Sequence, residues 1–143
     1  MKRATAEDAR ILLQLLEIHN SPQWQEAMTW FTKEFSAKNY QEFKSKYPEG
    51  SEGAMHVGQI LGSFETAGVF VSHGLLNEDL YFDLSGIGFM WKKLEKIVSG
   101  MQKETDPSLW ENAAWLAERQ KQWKKDVWKP SLAWKLKSQN SRR

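Results

Sequence analysis

The sequence predicts an all-α protein, a single-domain bundle of six or seven helices. Apolar residues recur with the 3.6-residue period of a helix along most of the chain, and Ser, Thr, Asn or Asp precede these stretches at helix-start positions. No segment has convincing strand patterning. The 143 residues suit one domain with a sizeable core. Amphipathic helices with short connections bury their apolar faces against one another, so a bundle is expected.

Start signals mark the first two helices. Thr5 followed by Asp8 resembles a capping box, and apolar residues at helical spacing continue from there to His19. Ser21 and Pro22 then fit the N-cap and the first position of a second helix. This second helix carries an aromatic stripe that needs a core to face: Trp24, Trp30, Phe31 and Phe35.

The middle of the chain predicts a short helix, a loop and a long buried helix. The short helix begins near Asn39, and residues 48–53 form the clearest loop. The least polar segment, residues 54–73, is long enough to favour a helix, which Gly74 would end in the left-handed conformation.

Small residues recur at every fourth position of this long helix and make one of its faces smooth: Ala54, Gly58, Gly62 and Thr66. Each glycine costs about 1 kcal/mol of helix propensity relative to alanine. Close approach of a neighbouring helix would offset that cost, so we expect a helix to pack on this face.

Three further helices follow. Residues 77–79 cap a short one, and the helical period resumes after Gly88. Asp106 and Pro107 fit the N-cap and first position of the last clear helix. Because Pro130 interrupts that helix, we assign residues 1–129 to the helical domain. Residues 130–143 form a basic C-terminal tail that is expected to be partly disordered.

Charge is distributed very unevenly along the chain. Residues 1–118 contain eleven Lys or Arg against seventeen Asp or Glu, a net charge of −6. Residues 119–143 contain nine Lys or Arg and the single acid Asp126, a net charge of +8, together with three of the eight tryptophans. Clustered cations with aromatic side chains suit anionic partners.

The C-terminal segment is therefore the main candidate binding site. Its cations and indoles have the composition found at membrane interfaces and on nucleic-acid backbones: Trp123, Lys124, Lys125, Trp128, Lys129, Trp134, Lys135 and Lys137. An acidic protein face or an anionic membrane is favoured as partner over nucleic acid, because no nucleic-acid-binding motif accompanies the charge. The alternative is structural: Trp123 and Trp128 pack on the body, and the lysines remain solvated.

A second candidate is a pocket around Glu65 and His73. Glu65 is a lone carboxylate in an otherwise apolar helix, where burial would allow a role in proton transfer. The ordinary alternatives are an exposed or ion-paired Glu65, and a His73 that stabilises the helix C-terminus as a cation.

Recognised catalytic, metal and cofactor motifs are lacking in the sequence. The absence of Cys excludes disulfides, thiolate nucleophiles and Cys-based metal sites. The nearest set of metal-ligating residues lacks a known ligand spacing: His56, Glu65, His73, Asp79 and Asp83. We therefore expect no metal, no cofactor and no enzymatic activity.

The chain is similar to a family of small, mostly bacterial helical proteins that is classed only as a domain of unknown function. The similarity rests on Phe64-Glu65-x-x-Gly68, on the Gly74-Leu75 to Asp79-Leu80 turn, and on Trp91 in the next helix. It covers roughly residues 9–118 and implies a helical single domain without a known activity. The quoted residues suggest an architectural role, in which Gly68 allows close helix contact.

The leading hypothesis is a non-enzymatic helical interaction module whose basic, Trp-rich C-terminus docks on an acidic protein or an anionic membrane surface. One alternative is a small-ligand binder or enzyme that uses Glu65 and His73. Another is a structural homo-oligomer in which the tail of one subunit pairs with the acidic body of another. No apolar leader is visible and no stretch approaches the ~18 apolar residues of a membrane span. We expect a cytoplasmic protein that reaches a membrane only peripherally.

Overall fold

The computed structural model describes residues 3–127, which form one all-α domain of seven helices without a strand. The helices are α1 (Ala6–His19), α2 (Pro22–Lys33), α3 (Tyr40–Lys46), α4 (Glu52–Ser72), α5 (Glu78–Leu84), α6 (Gly88–Glu104) and α7 (Glu111–Asp126). The predicted fold class is confirmed. The part of the chain from residue 128 onward, which includes the predicted tail, lies outside the described residues.

Helix α4 is the centre of the bundle, and α7 and α2 pack most extensively against it. One side of α4 is buried along its whole length, from Gly53 through Val57, Leu61 and Phe64 to Val71. Ten of its 21 residues are buried. The length of the apolar segment therefore predicted the central helix correctly.

Local caps begin the first five helices. The Thr5 hydroxyl accepts a hydrogen bond from the Asp8 amide (3.2 Å) while the Asp8 carboxylate accepts one from the Thr5 amide (2.7 Å), which completes the predicted capping box. The side chains of Ser21, Asn39, Ser51 and Asn77 cap α2 to α5 in turn. The predicted loop 48–53 is shorter than expected, because Ser51 starts α4 already at Glu52.

The smooth face of α4 is not packed as predicted. A methyl group built at Gly58 or Gly62 would meet nothing within 4 Å among the described residues, and Thr66 is exposed. Close approach occurs instead at Gly68, where an added Cβ would lie 2.3 Å from the backbone oxygen of Asn112 in α7. The expectation of a helix packed on the smooth face was therefore wrong, whereas the expectation that Gly68 allows close helix contact is confirmed.

The predicted start of the last helix was also wrong. Asp106 caps only a turn, in which its carboxylate accepts hydrogen bonds from the amide and hydroxyl of Ser108 (both 2.8 Å). Helix α7 begins five residues later, after Trp110, which adopts a left-handed conformation with φ of 56°. Gly74 ends α4 with φ of 70°, as predicted.

Candidate functional site

Three of the predicted binding residues lie at the C-terminal end of α7, and one of them is buried while two are exposed. Trp123 is only 3% exposed, its ring contacts Phe82 (centroids 5.5 Å apart), and its Nε1 donates to the Asp79 carboxylate at 2.7 Å. Trp123 is therefore a core residue, and the structural alternative holds for it. Its apolar face is needed for packing against α5, so it is not available to a partner.

Lys124 and Lys125 are exposed on the last turn of α7, as a solvent-facing binding surface requires. Neither forms an ion pair within residues 3–127. The remaining predicted residues lie outside the described part of the chain: Trp128, Lys129, Trp134, Lys135 and Lys137. The two lysines lead directly into that segment.

A groove between α6 and α7 extends this cationic end, with a volume of about 720 Å³. Four lysines and two glutamates line it together with Phe89: Lys92, Lys121, Lys124, Lys125, Glu95 and Glu118. Glu118 pairs with Lys121 at 3.3 Å, and the four lysines outnumber the two glutamates of the groove. Phe89 is 65% exposed beside these lysines. We call Phe89, Lys92, Lys124 and Lys125 the α6–α7 surface.

Glu65 has a different role from the one predicted. Its carboxylate reaches from α4 to the start of α7, where it accepts hydrogen bonds from the Ala113 amide (2.9 Å) and the Asn112 side chain (2.8 Å). It also accepts a longer one from the Asn112 amide (3.4 Å). Helix α7 has no local side-chain cap, so Glu65 serves as its N-cap from a neighbouring helix.

Replacing Glu65 with alanine is expected to lower the free energy of unfolding by about 1–2 kcal/mol, because the amides at the start of α7 lose their acceptor. Chemical denaturation followed by circular dichroism measures this change. Glu111→Ala is the matched control, since it removes an exposed carboxylate from the same helix end and costs only about 0.3–1 kcal/mol through the helix dipole. Equal effects of the two substitutions would contradict the capping role.

Glu65 and His73 do not share a pocket. Their separation of eight positions corresponds to about 12 Å along α4, and His73 is an exposed C-cap residue. Among the histidines, His19 is half-buried, stacks on Trp24 (4.5 Å) and bonds the Ser63 hydroxyl (3.0 Å). Burial lowers the pKa of His19 below its ordinary value. The His19 side chain is therefore held by contacts within the fold, whereas His73 lies on the surface.

Helix α7 caps α6 in a similar way, a contact that sequence reasoning missed. The Gln120 side-chain oxygen accepts hydrogen bonds from the amides of Ile87 (3.1 Å) and Gly88 (2.9 Å), where α6 lacks a local cap. The preceding residue, Arg119, binds Glu78 of α5 through two hydrogen bonds, and this partner raises the pKa of the arginine. Helix α7 is thus tied to α4, α5 and α6 by polar contacts.

The quoted motif residues also have mainly architectural positions. Gly68 lies against the backbone of Asn112, and Phe64 and Trp91 are buried in the core. The ring of Phe64 meets Trp24 edge to face at 6.1 Å. Gly68 and the cap that Glu65 supplies therefore join α4 to α7, whereas Phe64 packs α4 against α2.

One cluster could hold a metal ion, and sequence reasoning missed it. Glu26 of α2 meets Glu52 and His56 of α4, and one ligand atom from each residue lies within 4.8 Å of the others. Glu52 and His56 are four residues apart on one helix face, which is a signal that the sequence contained. Their approach to Glu26 depends on how α2 packs against α4.

Comparison with known proteins identifies a family and no activity. The sequence model of a family described as a domain of unknown function, DUF4760, matches residues 4–120. Neither a curated protein nor a solved structure matches the chain significantly. Among the described residues, no helix combines the length and the apolar character needed to cross a membrane.

Proposed function

The chain belongs to the DUF4760 family, a domain of unknown function, and we propose that it is a non-enzymatic interaction module that docks peripherally on an anionic membrane surface. The α6–α7 surface and the basic segment that follows it make the contact. The observation that carries the proposal is the exposed Phe89 beside Lys92, Lys124 and Lys125, which form no ion pair within the described residues.

Electrostatic attraction supplies the first part of the binding energy. Each Lys or Arg near an anionic bilayer contributes about 1 kcal/mol. Lys92, Lys124 and Lys125 are exposed on adjacent helices, and the sequence beyond residue 127 adds five Lys or Arg and no acid. The acidic remainder of the chain would be repelled by the same surface, which orients the molecule with the C-terminal end toward the lipid.

Exposed apolar side chains supply the second part of the binding energy, and they favour a membrane over an acidic protein as the partner. Phe89 and Leu84 are 65% and 60% exposed, one at the start of α6 and the other at the end of α5. Phe89 also lines a second cavity together with Asp83, Ser85 and Lys124, and Asp83 and Ser85 flank Leu84 in the sequence. Apolar side chains next to lysines suit the boundary between headgroups and acyl chains.

We expect the full chain to bind vesicles that contain phosphatidylserine and not vesicles of phosphatidylcholine alone, with weaker binding at high salt. Substituting Gln for Lys92, Lys124 and Lys125 together should weaken binding roughly a hundredfold. The matched control substitutes Gln for Lys33, Lys38 and Lys103, which are also exposed and remove the same charge. Co-sedimentation with vesicles measures both.

Two further variants separate the possible partners. Phe89→Ser should weaken vesicle binding while leaving binding to poly-glutamate or duplex DNA unchanged, because only a membrane takes up the ring. A chain that ends at Val127 keeps all seven helices and tests the contribution of residues 128–143. If both lysine variants bind vesicles equally well, or if poly-glutamate binds more tightly than the vesicles, a membrane is not the partner of this surface.

A further inference from the structure

We propose that Glu26, Glu52 and His56 form a binding site for a divalent transition-metal ion of the zinc type. The site lies in a surface cavity between α2 and α4, on a part of the chain that the α6–α7 surface does not include. It is independent of the proposed membrane contact.

The three ligands suit such an ion in type and charge. An imidazole nitrogen and carboxylate oxygens are common zinc ligands, with metal–ligand bonds of about 2.0–2.2 Å. Two such bonds bring ligand atoms to within about 4 Å of each other. The present separation of at most 4.8 Å therefore needs only a small movement of exposed glutamate side chains. Two carboxylates also neutralise a divalent cation.

The histidine distinguishes the expected metal. Imidazole favours zinc, copper, iron and nickel, whereas magnesium and calcium prefer oxygen ligands alone. Calcium in particular takes six to eight oxygen ligands, more than this cavity supplies. Three protein ligands leave positions for water.

The position of His56 makes the site more than a group of surface carboxylates. His56 is 8% exposed and its ring packs against Trp30, with centroids 5.2 Å apart, so its orientation is restricted. The Nε2 atom is directed to the cavity, 3.4 Å from the Glu52 carboxylate. That distance exceeds the 2.7–3.2 Å of an ordinary hydrogen bond.

The charges around His56 also favour a bound cation, because its Nε2 atom has the exposed carboxylate of Glu52 as a neighbour at 3.4 Å. Glu26 and Glu52 approach each other from different helices, which like charges oppose. Lys33 lines the same cavity but forms no ion pair in the described part of the chain. A bound cation would satisfy the imidazole and both carboxylates together.

Isothermal titration calorimetry of the chelator-treated full chain with Zn²⁺ tests the proposal. We expect one ion per chain, with much weaker binding of Mg²⁺ and Ca²⁺, and a Co²⁺ complex whose visible absorption shows a nitrogen ligand. Zinc should also raise the Tm, since it binds the folded state.

Substitutions test whether Glu26 and His56 bind the zinc ion. Glu26→Gln removes an exposed carboxylate without changing its size, and it should weaken zinc binding by roughly tenfold or more. His56→Gln should do the same, with circular dichroism to check that this buried position still folds. Glu118→Gln and His73→Gln are the controls, because both residues are exposed elsewhere on the molecule. The proposal is overturned by no saturable zinc binding, by zinc binding that Glu26→Gln leaves unchanged, or by equal affinity for Mg²⁺.

Discussion

Replacing Trp123 with alanine is expected to lower the free energy of unfolding by about 3–5 kcal/mol, the usual cost of truncating a large buried aromatic side chain. Trp123 is 3% exposed and fills the space beside Phe82 of α5. Its removal leaves a cavity at the junction of α5 and α7 and leaves the Asp79 carboxylate without its indole donor. Urea denaturation followed by circular dichroism measures the change.

Trp123→Phe separates packing from hydrogen bonding, because it keeps most of the ring and removes the N–H. The phenylalanine variant should lose about 1–3 kcal/mol, the cost of leaving a hydrogen-bond acceptor unpaired. Trp115→Ala is the matched control on the same helix, since Trp115 is 40% exposed and should matter less. If Trp123→Ala destabilises no more than Trp115→Ala, the indole is not a core residue and the original binding hypothesis for it returns.

Gly68→Ala is expected to destabilise the protein by about 1–3 kcal/mol, although alanine favours a helix over glycine by about 1 kcal/mol. The added Cβ would lie 2.3 Å from the backbone oxygen and 2.7 Å from the carbonyl carbon of Asn112. Backbone atoms cannot rotate away, so the start of α7 must move from α4. That movement also lengthens the hydrogen bonds from α7 to Glu65.

Gly62→Ala is the control for this substitution, because the same change on the same helix meets nothing within 4 Å. It should raise the free energy of unfolding by up to about 1 kcal/mol through helix propensity alone. Opposite signs for the two glycines are expected in thermal denaturation. A stability gain at both positions would show that α4 and α7 do not require Gly68.

The helix starts illustrate how far local sequence predicts this fold. Thr5, Ser21 and Asn77 were predicted to cap helices, and Asn39 was predicted only to lie near a helix start. Each of these side chains bonds an amide three residues ahead. Such contacts lie within one turn of the chain, so they are visible in the residue order.

The starts of α6 and α7 could not be found in this way. Their free amides are satisfied by Gln120 and Glu65, which are 32 or more positions away in sequence. The Asp106-Pro107 pair has the pattern of a helix start but produces only a turn, and α7 begins after the left-handed Trp110, where Glu65 accepts hydrogen bonds from its first amides. A cap that comes from another helix leaves no local pattern.

The sequence alone therefore determined the fold class, the single domain, the caps of the early helices and the separation of charge along the chain. These depend on composition, on the helical period and on contacts within a few residues. Tertiary structure decided the roles of individual side chains. Trp123 is buried in the core, Glu65 caps α7, and Glu26 lies close to Glu52 and His56. The physical reason is that burial and convergence depend on which helix faces meet, and the residue order does not specify that packing.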